Sequence, residues 1–199
     1  MKLKSILFLL TFSFMLNMVF AQKKSFSQAN TKHNLKFGLN ANFYDSYPLS
    51  LAWEFKVANR QSLQVDVLPV FFKNDYSSES GLSLGLSYRK YISKNKEGLQ
   101  GLYFSPFVNY KFSNSKDLYN SSTSKYKDNT LNLGFLFGKQ WIYKSGFSLD
   151  INGGLGYYIS NSSTNYSGNY PYPGYTPRNY NYNNYGITPN LNIKIGYAF

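Results

Sequence analysis

The stretch Pro189–Phe199, PNLNIKIGYAF, separates its residues into two sets by parity. Leu191, Ile193, Ile195, Tyr197 and Phe199 form an apolar set, and Asn190, Asn192, Lys194, Gly196 and Ala198 a polar or small one. Side chains on a β-strand alternate faces, so this segment reads as a strand with one side against an apolar phase and the other against a polar, tightly packed one.

The same period of two recurs upstream, and helical spacing is absent from the chain beyond its first segment. Apolar sets run through Leu35–Phe43, Leu49–Val57, Leu63–Phe71, Leu82–Tyr88, Leu102–Phe112, Leu131–Trp141 and Phe147–Ile159, which with the final stretch predicts eight strands. Pro69 and Pro106 fall inside two of them, where each removes a ladder donor and marks a bulge or a strand end. The connections alternate in length. Residues 58–60, 93–98 and 144–146 make short turns, whereas 45–47, 73–80, 114–129 and 161–186 lengthen toward the carboxy end. An even strand count puts both ends of the strand array on one side, together with the short turns.

The amino end has a different pattern. Lys2 and Lys4 precede an apolar run from Ile6 to Leu16, and Val19, Phe20 and Ala21 follow with residues suited to a signal peptidase. An uninterrupted apolar core this short falls below the roughly twenty residues that cross a bilayer as a helix, so residues 1–21 read as a cleaved secretory signal. Residues 22–33 are polar and patternless and read as a periplasmic tail, leaving 34–199 as one barrel domain. The chain contains no Cys, which removes disulfides, thiolate metal sites and lipid attachment after the signal.

Without Lys2 and Lys4, 19 basic residues face 9 acidic ones, a charge of +10. Nucleic acid is not expected as a partner, because the chain is exported and its charges are dispersed rather than striped. Anionic lipid phosphates at the membrane rims fit better. Aromatic residues make up 20% of the chain, and such rings favour the boundary between hydrocarbon and headgroups.

Alternation alone does not say which face points inward. The polar face carries Gly38, Gly85, Gly134, Gly138, Gly154 and Gly156 with Asn, Ser and Ala, groups suited to a crowded interior. The apolar face carries large Leu, Phe, Tyr and Trp. The expected fold is therefore all-β: an eight-stranded antiparallel up-and-down transmembrane β-barrel with a polar, side-chain-filled lumen. A soluble periplasmic barrel is the alternative. The polar face also holds Lys36, Glu54, Lys56, Asp66, Arg89, Lys111, Asp150 and Lys194. Threading the strands gathers Lys36, Glu54, Asp66, Arg89, Asp150 and Lys194 into a structural charge cluster, because unpaired charges in so narrow a barrel are costly. Asp150 and Lys194 lie on neighbouring strands and are expected to pair. Glu54 and Asp66 are also neighbours and need a shared cation such as Arg89 or Lys36.

Catalytic residues are not identified. The only His, His33, precedes the first strand on the side of the short turns, leaving a nucleophile in the longer loops without an imidazole base. No metal-ligand cluster, phosphate-cradling loop or nucleotide motif is present, and no cofactor is expected. The candidate surface-binding site is the biased segment 161–186, read as a loop, with Tyr166, Tyr170, Tyr172, Tyr175, Tyr180, Tyr182 and Tyr185. These flat amphipathic rings suit adaptable recognition of an unknown extracellular ligand. They also suit a simple cap over the barrel mouth.

The signal ending VFA, the repeated alternating strands and the terminal IKIGYAF together resemble the small eight-stranded outer-membrane β-barrel family, in particular the porin-like barrel domains of Bacteroidetes. The resemblance covers the chain after the signal and is architectural. It implies an integral outer-membrane location in a Gram-negative cell. The implied partners are outer-membrane lipid, including lipopolysaccharide, and the barrel-insertion machinery, which reads the carboxy-terminal strand. The expected role is non-enzymatic, structural or surface-binding through extracellular loops. A narrow passive pore and a lipid-modifying barrel enzyme are the alternatives.

Overall fold

The computed structural model describes residues 31–42, 49–74, 76–93, 98–119, 122–167 and 180–199. The expected signal segment and most of the tail lie outside them. Eight strands follow one another: β1 (His33–Asn42), β2 (Leu49–Ala58), β3 (Gln61–Lys73), β4 (Ser77–Tyr91), β5 (Gly101–Tyr119), β6 (Ser122–Ile142), β7 (Phe147–Ser167) and β8 (Tyr180–Ala198). Each pairs antiparallel with the next, and β1 pairs with β8 to close the sheet into a barrel.

Closure is secured at the end where β1 begins and β8 stops. The Phe199 carbonyl accepts the backbone N–H groups of Lys32 (3.0 Å) and His33 (2.9 Å), and the Phe199 N–H donates to His33 (2.8 Å). The tight turns lie at this same end. Gly146 closes the β6–β7 turn by donating its N–H to Tyr143 at 2.9 Å, with φ of 86°, a conformation that glycine adopts without steric cost. We call this end the base.

The strands are unequal. β1 and β2 have 10 residues each, whereas β5 to β8 have 19 to 21, so the far side of the barrel rises well above the near side. The β1–β8 ladder stops at Asn42 opposite Asn190, and β8 continues from there toward Tyr180 with β7 as its partner. Three connections are therefore shorter than the sequence pattern predicts. The expected loop 73–80 is mostly strand, the expected loop 114–129 is the paired continuation of β5 as far as Tyr119 and of β6 from Ser122, and the expected loop 161–186 is strand as far as Ser167 and again from Tyr180. The ladder continues where the side chains on both faces turn polar, so alternation of hydrophobicity vanishes while backbone pairing does not. The expected turn at 45–47 lies outside the described residues.

The two prolines behave differently. Pro69 pairs with Leu82 of β4 without a register shift, and it lies two residues past Val67, the last residue of β3 paired to β2. Its missing donor thus falls where no neighbour asks for it, and no bulge results. Pro106 holds its place opposite Phe135, but the β4–β5 ladder skips it, passing from Ser87 opposite Phe107 to Lys90 opposite Phe104.

Burial follows strand parity. In β8 Asn190, Asn192 and Lys194 are buried while Leu191, Ile193 and Ile195 are exposed. Across the sheet the exposed set includes Trp53 (50%), Phe135 (56%) and Phe137 (63%), and the buried set is dominated by Ser, Asn, Gln and charged side chains. Buried apolar residues are few; Tyr91, Leu99, Tyr103, Ile142 and Ala198 form one cluster.

Candidate functional site: the buried ion-pair network

Every strand contributes a polar side chain to one connected network in the barrel. Lys36 on β1 sits at its centre, fully buried, with Glu54 of β2 at 2.6 Å and Asp150 of β7 at 3.0 Å. Its ammonium also donates to Gln64 of β3 (2.9 Å) and Gln140 of β6 (2.5 Å). Four acceptors around three protons leave Lys36 no free donor.

Arg89 on β4 supplies the second cation. Its Nη1 lies 2.6 Å from Asp150 and 3.8 Å from Glu54, and its guanidinium stacks 4.4 Å above the Tyr103 ring of β5. Both carboxylates are further saturated. Glu54 accepts from the hydroxyls of Ser62 (2.5 Å) and Tyr91 (2.6 Å) and from the amide of Gln140 (2.9 Å). Asp150 accepts from the Tyr103 hydroxyl at 2.6 Å. Two cations thus face two anions, and hydrogen bonds occupy the remaining lone pairs, the condition under which buried charge is tolerated.

A second pair stands beside the first. Lys194 of β8 binds Asp66 of β3 across the barrel, and Gln64 donates to Asp66 at 2.7 Å, joining the two halves. The six charged residues singled out in the sequence therefore come together, but with different partners. Asp150 and Lys194 are directly opposite in the β7–β8 ladder, yet Lys194 takes Asp66, and Asp150 takes Lys36 and Arg89. Glu54 and Asp66 share no cation. The barrel is narrow enough for long side chains to reach across it, so register neighbours do not dictate partners.

Two glycines make room for this. A Cβ at Gly138 would lie 2.6 Å from the Tyr103 ring and from Asn152 Cβ, so only a bare backbone lets that ring lie beneath Arg89. Gly38 admits the stem of Lys194 in the same way. Above the network, Asn40, Asn109, Asn152, Asn190 and Asn192 line a cavity of about 60 Å³ with Asp66, Arg89 and Lys194, and Phe107 and Leu136 contribute apolar wall. Among its lining atoms, Asn40 Nδ2 and Arg89 Nε have no protein partner.

Sequence reasoning missed Gln64, Gln140, Tyr91 and Tyr103. All four occupy the inward parity of their strands, but neutral polar residues do not stand out in a sequence as charges do. Lys111 pairs with Glu79 at 3.6 Å, above the network. Lys56 is half-buried near the base. His33 stacks on Trp53 at 5.8 Å and lies 5.6 Å from the Phe199 ring, at the base.

The tyrosine set is divided. Tyr180, Tyr182 and Tyr185 are exposed on β8, and the backbone of Tyr166 lies in β7 opposite Ser124, so these four belong to strands rather than to a loop. Tyr170, Tyr172 and Tyr175 lie outside the described residues. Among the described residues no three His, Asp or Glu side chains group as a metal site.

Closed antiparallel topology and an ion-pair network reached from all eight strands define the class: a small eight-stranded β-barrel built around buried charge. The chain belongs to a family of unknown function, DUF6850, whose model matches residues 5–199. No curated protein matches it.

Proposed function

We propose that this chain is an integral outer-membrane β-barrel protein, non-enzymatic, whose lumen is filled by a salt-bridge plug and whose extended strands stand above the cell surface. The observation that carries this reading is the inverted polarity of the sheet. Leu51, Trp53, Leu84, Leu133, Phe135 and Ile193 are exposed, while Lys36, Glu54, Arg89 and Asp150 are fully buried. A continuous apolar exterior of this kind is unfavourable in water and favourable in hydrocarbon. Lys139 near the base, 4.8 Å from the Trp141 ring, fits a membrane rim, where a lysine and an aromatic share the interface.

The base is then periplasmic and the tall ends of β5 to β8 are extracellular. His33, wedged between Trp53 and Phe199 at the base, is remote from any outer-leaflet substrate, which supports a role without catalysis. The exposed Tyr180, Tyr182 and Tyr185 on the tall part of β8 are the surface offered to an extracellular ligand, with Tyr166, Tyr170, Tyr172 and Tyr175 nearby in sequence.

Membrane fractionation combined with gel mobility before and after boiling tests the reading. The expected result is carbonate-resistant membrane association and a folded band that shifts on heating. A soluble chain with one mobility overturns it.

A further inference from the structure

We propose that Lys116, Lys125 and Lys127, on the outward face of the tall strands, form a phosphate-binding site for the sugar headgroup of an outer-leaflet glycolipid. The inference rests on the outer-membrane reading and adds to it a place on the barrel and the residues that bind there.

Lys116 of β5 stands directly opposite Lys125 of β6, and Lys127 is opposite Asn114. All three lysines are exposed, on the same face as Tyr110 and Phe112 below them. Like charges facing each other across a ladder are unfavourable unless an anion lies between them. Among the described residues none of the three makes an ion pair, although acids are close in sequence. Those acids have the opposite parity: Asp117 and Asp128 belong to the inward set, Asp128 accepts a hydrogen bond from Ser162, and Glu79 is bound to Lys111. By strand parity the outward positions beyond Phe112 and Leu131 are Asn114, Lys116 and Leu118 on β5 and Asn129, Lys127, Lys125 and Thr123 on β6, with no carboxylate among them. Beyond Phe112 and Leu131 on β5 and β6, the lysines thus face outward and the carboxylates inward.

Height selects the kind of lipid. Lys116 lies four residues beyond Phe112, Lys127 four beyond Leu131 and Lys125 six beyond it. At about 3.3 Å per residue and a tilt of about 40°, they sit about 10 to 15 Å above Phe112 and Leu131. A phospholipid interface is only about 5 to 8 Å deep on each side. A phosphorylated sugar headgroup is taller, and Asn114, Asn129 and Asn161 around the lysines offer amides to its hydroxyls.

The test uses the full chain folded in detergent, titrated with diphosphoryl lipid A and followed by native mass spectrometry. The K116Q/K125Q/K127Q variant is expected to keep the heat-modifiable band and to bind about a hundredfold more weakly, about fivefold per lysine. The triple arginine variant is expected to bind as the native chain does. Equal binding by the glutamine variant overturns the site while leaving the barrel reading intact, because the folded band is read separately. Equal affinity of the native chain for phosphatidylglycerol, or displacement of lipid A by inorganic phosphate at similar concentration, overturns the glycolipid assignment. A chain without a heat-modifiable band overturns both readings.

Discussion

Asp150 and Lys194 face one another in the β7–β8 ladder, yet each forms its ion pair elsewhere: Asp150 with Lys36 and Arg89, Lys194 with Asp66 on the far wall. Pairing across the barrel ties together strands that share no ladder. Lys36 and Asp150 join β1 to β7, Arg89 and Asp150 join β4 to β7, and Lys194 and Asp66 join β8 to β3. The backbone ladder alone would let a small barrel flatten or shear. These ion pairs oppose both distortions, because Lys36–Asp150 fixes the distance between strands two apart around the ring, and Arg89–Asp150 and Lys194–Asp66 between strands three apart.

Asp150→Asn is expected to be among the most destabilising single changes. It removes the carboxylate shared by Lys36 and Arg89 and leaves two buried cations with Glu54 as their only nearby anion. Breaking a buried pair by removing one partner costs about 3 to 5 kcal/mol. Urea unfolding of the refolded chain in micelles, followed by tryptophan fluorescence, should show the loss. A change below about 1 kcal/mol would mean that the network is looser than its geometry, since exposed pairs are worth about that much.

Gly138→Ala is expected to act on the same network without touching a charge. The added methyl would press on the Tyr103 ring and Asn152 Cβ, displacing the hydroxyl that donates to Asp150. Overpacking of this kind costs about 1 to 3 kcal/mol. Tyr103→Phe, which removes the hydroxyl alone, is expected to cost about 1.5 to 3 kcal/mol, the range for a hydrogen bond to a charged group. The double variant should cost less than the sum of the two, because both disrupt one contact; strict additivity in the same unfolding assay would refute the coupling.

Strand number and parity were legible in the sequence because Leu, Phe and Trp at alternate positions mark one face without ambiguity. The strand ends were not. From Asn114 to Asn129 the sequence is mostly Ser, Asn, Lys and Asp, and Leu118, Tyr119 and Tyr126 form no alternating set, so nothing distinguishes a solvated ladder from a loop, although the backbone pairs as far as Tyr119 and again from Ser122. The members of the charge cluster were legible because charge at an inward position is conspicuous. Their partners depend on how far apart the walls stand, which no local spacing encodes.

Electrical silence is expected in planar bilayers. Lys36, Gln64, Gln140, Glu54, Arg89 and Asp150 meet within hydrogen-bonding reach of one another near the base, and the Tyr91–Leu99–Tyr103–Ile142–Ala198 cluster holds apolar bulk beside them. An ion would have to break several saturated contacts to pass. Discrete, reproducible current steps from the native chain would favour the narrow-pore reading over the plug.

Phe135→Arg separates a lipid-facing barrel from a soluble one. Phe135 lies near the middle of the outward apolar run of β6, is 56% exposed and stacks on Phe104 at 5.3 Å. If the exterior faces hydrocarbon, an arginine near the midplane costs about 2 to 4 kcal/mol in bilayers. The penalty should shrink for an arginine placed at Tyr110, nearer the rim, because the cost falls toward the interface. A soluble barrel has no such depth dependence, and an exposed substitution in water stays within about 0.5 kcal/mol. Reversible unfolding from phosphatidylcholine vesicles measures both variants under one condition. Equal and small effects at the two positions would reject the membrane reading, whereas a large effect at Phe135 with a small one at Tyr110 follows from it directly.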